Sequence, residues 1–279
     1  MPFTPGPIFN RGFRRWLLVM AAVLLPAAHS AETDPWQAAL NLDYNTASAE
    51  LARRHALDPA DLRNATAYAA SLLVRQPRTA ANLSEARDLL VRVRQRAGPA
   101  DADHRALALY LLARIEHDHE STPRLEAARA HYEELRRDHP GHPLADQAGV
   151  HLALLAGWQS PGVTPEQAAA RIAALLDTVT APAARRELHH LLGFLHWHRR
   201  QDAAAALPHF LAGRAIGYET PYRNGEADLT IAGLATELGR DQLAAQHYLT
   251  FAEAYPRDAR TQTVRRLAAE ARARTAAAP

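Results

Sequence analysis

The chain has 279 residues, 32 basic and 30 acidic, with neither cysteine nor lysine among them. Those two absences exclude a thiol nucleophile, a thiolate metal site, a Schiff-base lysine and a P-loop lysine. The length allows one domain or two with a sizeable apolar interior, and a composition rich in alanine but poor in aromatic and β-branched residues predicts helix nearly throughout.

Residues 1–30 read as an export signal. Arg11, Arg14 and Arg15 form a basic start, Trp16 to Leu25 is an unbroken apolar run too short to span a bilayer, and Pro26 ends it. The small residues of Ala28-His29-Ser30 set cleavage before Ala31. No cysteine follows to carry a lipid. The expectation is an exported, periplasmic chain that touches a membrane only if the signal segment stays uncleaved. These thirty residues carry three arginines and no acid, so removing them takes the net charge from +2 to −1. With no basic stripe and no interleaved aromatics, no nucleic-acid partner is expected.

Residues 31–279 read as one helical domain. Ala86, Leu89, Leu90 and Val93 fall at i, i+3, i+4 and i+7, and so do Ile172, Leu175, Leu176 and Val179, and Leu188, Leu191, Leu192 and Leu195. Each set is one apolar stripe on a helix. Breaks separate the stripes at Asp58-Pro59, Gln76-Pro77, Gly98-Pro99, His139 to Pro143, Ser160-Pro161-Gly162, Ala181-Pro182 and Tyr255-Pro256. Asp101, Asp103 and His104 open a helix. Thr164-Pro165-Glu166-Gln167 reads as an N-cap, a proline at the first helical position and an acid against the helix dipole. Residues 77–84 and 117–124 read as longer turns, 31–35 and 275–279 as frayed ends, and Thr261 to Arg274 as a closing, arginine-rich helix. Short turns between such helices imply antiparallel neighbours.

One cadence recurs. Ala128, Tyr132, Leu135 and Pro140 are answered by Ala244, Tyr248, Phe251 and Pro256 at the same spacing. Ile231-Ala232-Gly233-Leu234 with Gly239-Arg240-Asp241 precedes the second copy. Leu192-Gly193, Gln201-Asp202, Ala206 and Phe210 form another, with Gly193 one place early. Ala47, Leu51 and Pro59 begin the series, and Leu152-Ala153 follows Pro140 at a wider spacing. With these residues the chain resembles the tetratricopeptide repeat family, helix–turn–helix units of about 34 residues, in the variant form seen in bacterial envelope proteins. The resemblance covers most of residues 36–274 in roughly six irregular units.

The resemblance implies an all-α, right-handed superhelical solenoid of antiparallel helix pairs. Gly193, Ala153 and Ala232 would sit where the helices of a pair cross, Ala206 and Ala244 where the partner helix meets them, and Tyr132, Phe210 and Tyr248 in the gaps between units. The first helix of each pair would line a concave groove that takes a protein or peptide ligand. That selects Tyr110, Arg114 and His117; Val150, Leu154 and Trp158; Glu187, His190, Phe194, Trp197 and His198; and Glu226, Leu229 and Glu237. Trp158, Phe194 and Trp197 have a second reading, as packing between units.

No catalytic motif competes with this. Leu188 to His198 is rich in histidine, but the i+4 partners of His189, His190 and His196 are Gly193, Phe194 and Arg200, the wrong spacing for a zinc pair on a single helix. His117 with His119 and His139 with His142 are no better placed. There is no G-x-S-x-G, no phosphate-binding glycine loop and no calcium loop around Asp101. Asn64-Ala65-Thr66 and Asn82-Leu83-Ser84 match a glycosylation sequon of low specificity. The expectation is a non-catalytic interaction scaffold in cell-envelope assembly or secretion, with no cofactor and no metal. The alternatives are a helical accessory module of a cell-wall enzyme and a histidine-based metal-binding protein.

Overall fold

The computed structural model describes residues 34–160 and 162–277, so the expected signal segment and its cleavage site lie outside the described residues. Among the described residues there are thirteen α-helices and no strand. The described residues divide into two compact units, one ending at Leu144 and the other beginning at Ala145.

The first unit holds α1 (Pro35–Leu40), α2 (Tyr44–Leu57), α3 (Leu62–Val74), α4 (Ala80–Arg96), α5 (Ala102–Arg114) and α6 (Leu125–Asp138). Each helix packs on the next, and α3 also touches α5. Side chains fix the starts: Asp43 accepts from the Thr46 N–H, Asp61 from those of Arg63 and Asn64, and Thr79 from that of Asn82. The unbroken buried run Ala65 to Leu73 makes α3 central. The predicted stripe Ala86, Leu89, Leu90 and Val93 is buried as expected. Each fully buried leucine here, such as Leu72, Leu90 or Leu112, contributes about 1.5–3 kcal/mol.

Most of α7 (Pro143–Leu154) belongs to the second unit, followed by α8 (Pro165–Thr178), α9 (Pro182–Phe194), α10 (Ala203–Ile216), α11 (Pro221–Glu237), α12 (Asp241–Ala254) and α13 (Thr261–Ala277). From α8 onward each helix packs on its successor. Thr164 and Gln167 close a reciprocal capping box around Pro165. Asp146, from α7, caps α9 by accepting from the N–H groups of Thr180 and Ala181. The predicted breaks fall at helix boundaries, Pro143 and Pro182 being the first residues of α7 and α9. The expected turn at 77–84 is shorter, because Thr79 caps α4 and Ala80 already begins it. The closing helix runs on to Ala277 instead of fraying after Arg274.

Three helices end in the same unusual way. α5, α7 and α9 each continue into one π-turn, at Ile115–His119, Leu155–Gln159 and Leu195–Arg199. The first carbonyl of each turn is taken five residues on, by the Glu120 N–H, the Ser160 hydroxyl and the Arg200 N–H. The sequence around them repeats at a forty-residue interval: Leu112-Ala113-Arg114-Ile115, Leu152-Ala153-Leu154-Leu155, Leu192-Gly193-Phe194-Leu195. A π-turn inserts one residue into a helix. This is why Gly193 stands one place early. α11 ends without a π-turn, its Leu238 N–H bonding Leu234 in the ordinary way.

The turns that follow differ accordingly. After α11 the left-handed position is Gly239, at φ +67°; after the π-turn of α9 it is Gln201, at φ +53°. A Cβ is disfavoured in that region. Gly239→Ala is therefore expected to cost about 1–2 kcal/mol and Gln201→Gly to gain up to about 1 kcal/mol. Urea midpoints moving in opposite directions are the check.

Candidate functional site

The residues selected from the sequence fall into different surroundings. In the first unit, Tyr110 and His117 are 2% and 4% exposed. Both rings meet Tyr132 edge-on, at 6.0 and 6.2 Å. They are core packing, not groove lining, because α5 packs against both α4 and α6 and both rings close on Tyr132. Arg114 pairs with Asp118 along the same helix end.

In the second unit, Leu154 is half-buried, and Trp158 is half-buried against a cluster built on Ala168, Ile172, Val179 and Leu188. Glu237 is exposed at the end of α11. Val150, Glu187, Glu226 and Leu229 are half-buried, and His190, Phe194, Trp197 and His198 come together. Their foundation is Phe210, 1% exposed, on α10. A Cβ added to Gly193 would lie 2.9 Å from the Phe210 ring, so α9 and α10 approach this closely only because residue 193 is glycine.

Around Phe210 the rings of His190, Phe194 and Trp197 stand at 5.8, 5.7 and 6.2 Å, all edge-on. Such edge-to-face pairs are favourable beyond their buried area. His198 closes the group, 4.5 Å from Trp197 and 5.0 Å from Phe194. His190, Phe194 and Trp197 are half-buried and His198 is exposed. The result is an aromatic surface on two rigid helices.

A charged network supports one side of it. Arg223 donates two bonds to Glu187 at 3.1 Å, and Arg186 donates to the same carboxylate at 3.1 Å. Both guanidiniums lie over the Tyr218 ring, at 4.7 and 5.4 Å. Burial pushes the Glu187 carboxyl up, but the Arg223 bonds outweigh it and the net shift is downward. Burial takes His190 down to about 4 despite Glu187 nearby, so its ring is neutral near pH 7. The Tyr218 hydroxyl, 3.3 Å from His190 Nδ1, is pushed up to about 12, chiefly by burial.

Sequence reasoning missed Tyr218, Arg186 and Arg223. It also missed the contact between His189 on α9 and His209 on α10, because nothing local in the chain marks which histidines of two helices will meet. No group of three or more His, Asp or Glu among the described residues is arranged to hold a metal ion. None of the helices among the described residues is long and apolar enough to cross a membrane. No protein-family model matches this chain, and no curated protein sequence matches it either.

Proposed function

We propose that this protein is an exported, non-catalytic interaction scaffold built from tetratricopeptide-like helix pairs, and that it binds a protein or peptide partner through the aromatic surface on α9 and its π-turn. The observation that carries this reading is the convergence of His190, Phe194, Trp197 and His198 over Phe210. Aromatic side chains held on rigid elements with part of their area open are the usual anchors of protein interfaces. The ionisable side chains beside them are satisfied by one another, Glu187 by Arg186 and Arg223, which suits a binding surface better than proton transfer.

A photo-crosslinking residue placed at His198 in living cells tests this, with the same residue at Arg171, an exposed position on α8, as control. A discrete partner captured at 198 and not at 171, and lost when Phe194→Ala and Trp197→Ala are combined in a chain of unchanged helicity, is the expected result. Equal capture at both positions, or capture indifferent to the double substitution, would refute the reading.

A further inference from the structure

On the same helix pair as the aromatic surface, three histidines meet, and their ring contacts are with one another and with Arg200. His189 on α9 and His209 on α10 bring their Nδ1 atoms to 3.2 Å, one donating and the other accepting. The His196 ring, 8% exposed, stacks parallel to His209 at 8° and 5.5 Å. Arg200 donates to His196 Nδ1 at 2.9 Å, which makes that nitrogen an acceptor and keeps the ring neutral.

The surrounding charges disfavour protonation. Arg185 stands beside His189, held in place by the carbonyls of Leu176 and Val179. Arg200 stands beside His196, and the acid that reaches Arg200 from α8 is Glu166, at 3.5 Å. Asp202, the one carboxylate acting on His196, is engaged in capping α10 through the Ala205 N–H. On α11, which packs on α10, Asp228 is occupied by Arg214 and His247.

We propose that His189, His196 and His209 form a proton-operated latch between α9 and α10, closed while the three rings are neutral and released when two of them carry protons. Two imidazoliums at this separation repel each other and lose the hydrogen bond that joins the helices. All three rings titrate below the ordinary 6.5: burial is the first cause for each, followed by Arg185 for His189, Arg200 for His196, and the neighbouring rings for His209, which falls to about 4. Opened, the rings recover their ordinary value. The open form therefore takes up protons first, and acidification below 6.5 drives opening. Phe194 and Trp197 rest on Phe210 across this seam and move with it.

Hydrogen exchange read by mass spectrometry on the full chain, corrected for the intrinsic pH dependence of exchange, tests the latch. Between about pH 7 and about pH 5, amides of Pro182–Ile216 are expected to exchange about tenfold faster while those of α3 and α4, which carry no histidine, do not. His209→Gln, which keeps hydrogen-bonding capacity and cannot take a charge, is expected to reduce the acid response severalfold, the remainder belonging to His190 on the same helix pair. A uniform rise across the chain, no rise at all, or a variant that responds like the parent each overturns the proposal. Should the variant not fold, imidazole titration of the parent chain by NMR decides instead. Depressed, mutually dependent titrations of the three rings support the latch; independent titrations at the ordinary histidine value overturn it.

Discussion

Phe210→Ala is expected to lower the stability of the second unit by about 3–5 kcal/mol. The ring is 1% exposed and is surrounded by Gly193, Phe194, Trp197, His190, Ile231 and Leu234, so its removal leaves a cavity that three helices border. The dependence on Gly193 gives a sharper test than the loss itself. In the parent chain Gly193→Ala forces a Cβ to within 2.9 Å of the ring and is expected to cost about 1–3 kcal/mol. In a Phe210→Leu background the same substitution meets a smaller, more flexible side chain and should cost under about 0.5 kcal/mol. Urea unfolding of the four chains measures the coupling. Equal costs in both backgrounds would show that the ring does not set the approach of α9 to α10.

That coupling was half legible in the sequence. Gly193 was readable as a crossing residue because small residues recur ahead of each second helix, at Ala153, Gly193 and Ala232, and close approach needs them. Helix stripes, proline breaks and the Thr164 cap were readable because they depend on residues within one or two turns of each other. The π-turns were not readable as such. They have no residue code and appear in the sequence only as a spacing fault, the displaced Gly193.

One inserted residue shifts the period by about 100° around the helix axis, so a face assigned by the 3.6-residue period does not carry over unchanged past Ile115, Leu155 and Leu195. His117 was expected in a groove and lies against Tyr132, whereas Trp197, at the same place in the forty-residue recurrence, is half-buried beside Phe194 and His198 is exposed. The packing around each helix end and not the inserted residue decides this burial: α5, which carries Tyr110 and leads into His117, has neighbours on more than one side, and no sequence period reports how many helices flank a given one. The forty-residue recurrence of Leu-small-x-Ile/Leu is the signal that could have exposed the pattern, and a search on a 34-residue period passes over it.

Asp228→Ala is expected to destabilise the second unit by about 3–5 kcal/mol, the range for removing one partner from a buried ion pair. Asp228 is 1% exposed on α11, takes two bonds from Arg214 at 3.0 Å and one from His247 Nδ1 at 2.9 Å, and so ties α10, α11 and α12 together. Its loss leaves the Arg214 guanidinium and the His247 imidazole without that acceptor. Asp228→Asn keeps the volume and one acceptor, and should cost less, about 1.5–3 kcal/mol.

The pH dependence separates this carboxylate from the histidines. Burial pushes the Asp228 carboxyl up, but His247 and Arg214 outweigh burial and hold it below the ordinary 3.8. A carboxyl lower in the folded than in the unfolded chain contributes fully above 3.8 and loses that contribution as the pH falls through its folded value. His119, His190 and His209 behave at higher pH. Each is taken from 6.5 to about 4, first of all by burial, so the unfolded chain binds protons ahead of the folded one and stability declines from 6.5 down to about 4. Acid unfolding of the parent chain should therefore show two declines, one between 6.5 and about 4 and one below 3.8. Asp228→Asn should retain the first and make the second shallower, leaving the part that carboxyls such as Glu187 contribute, in denaturant midpoints measured across the acid range. Flattening of the first instead would mean that Asp228 does not act through its own ionisation.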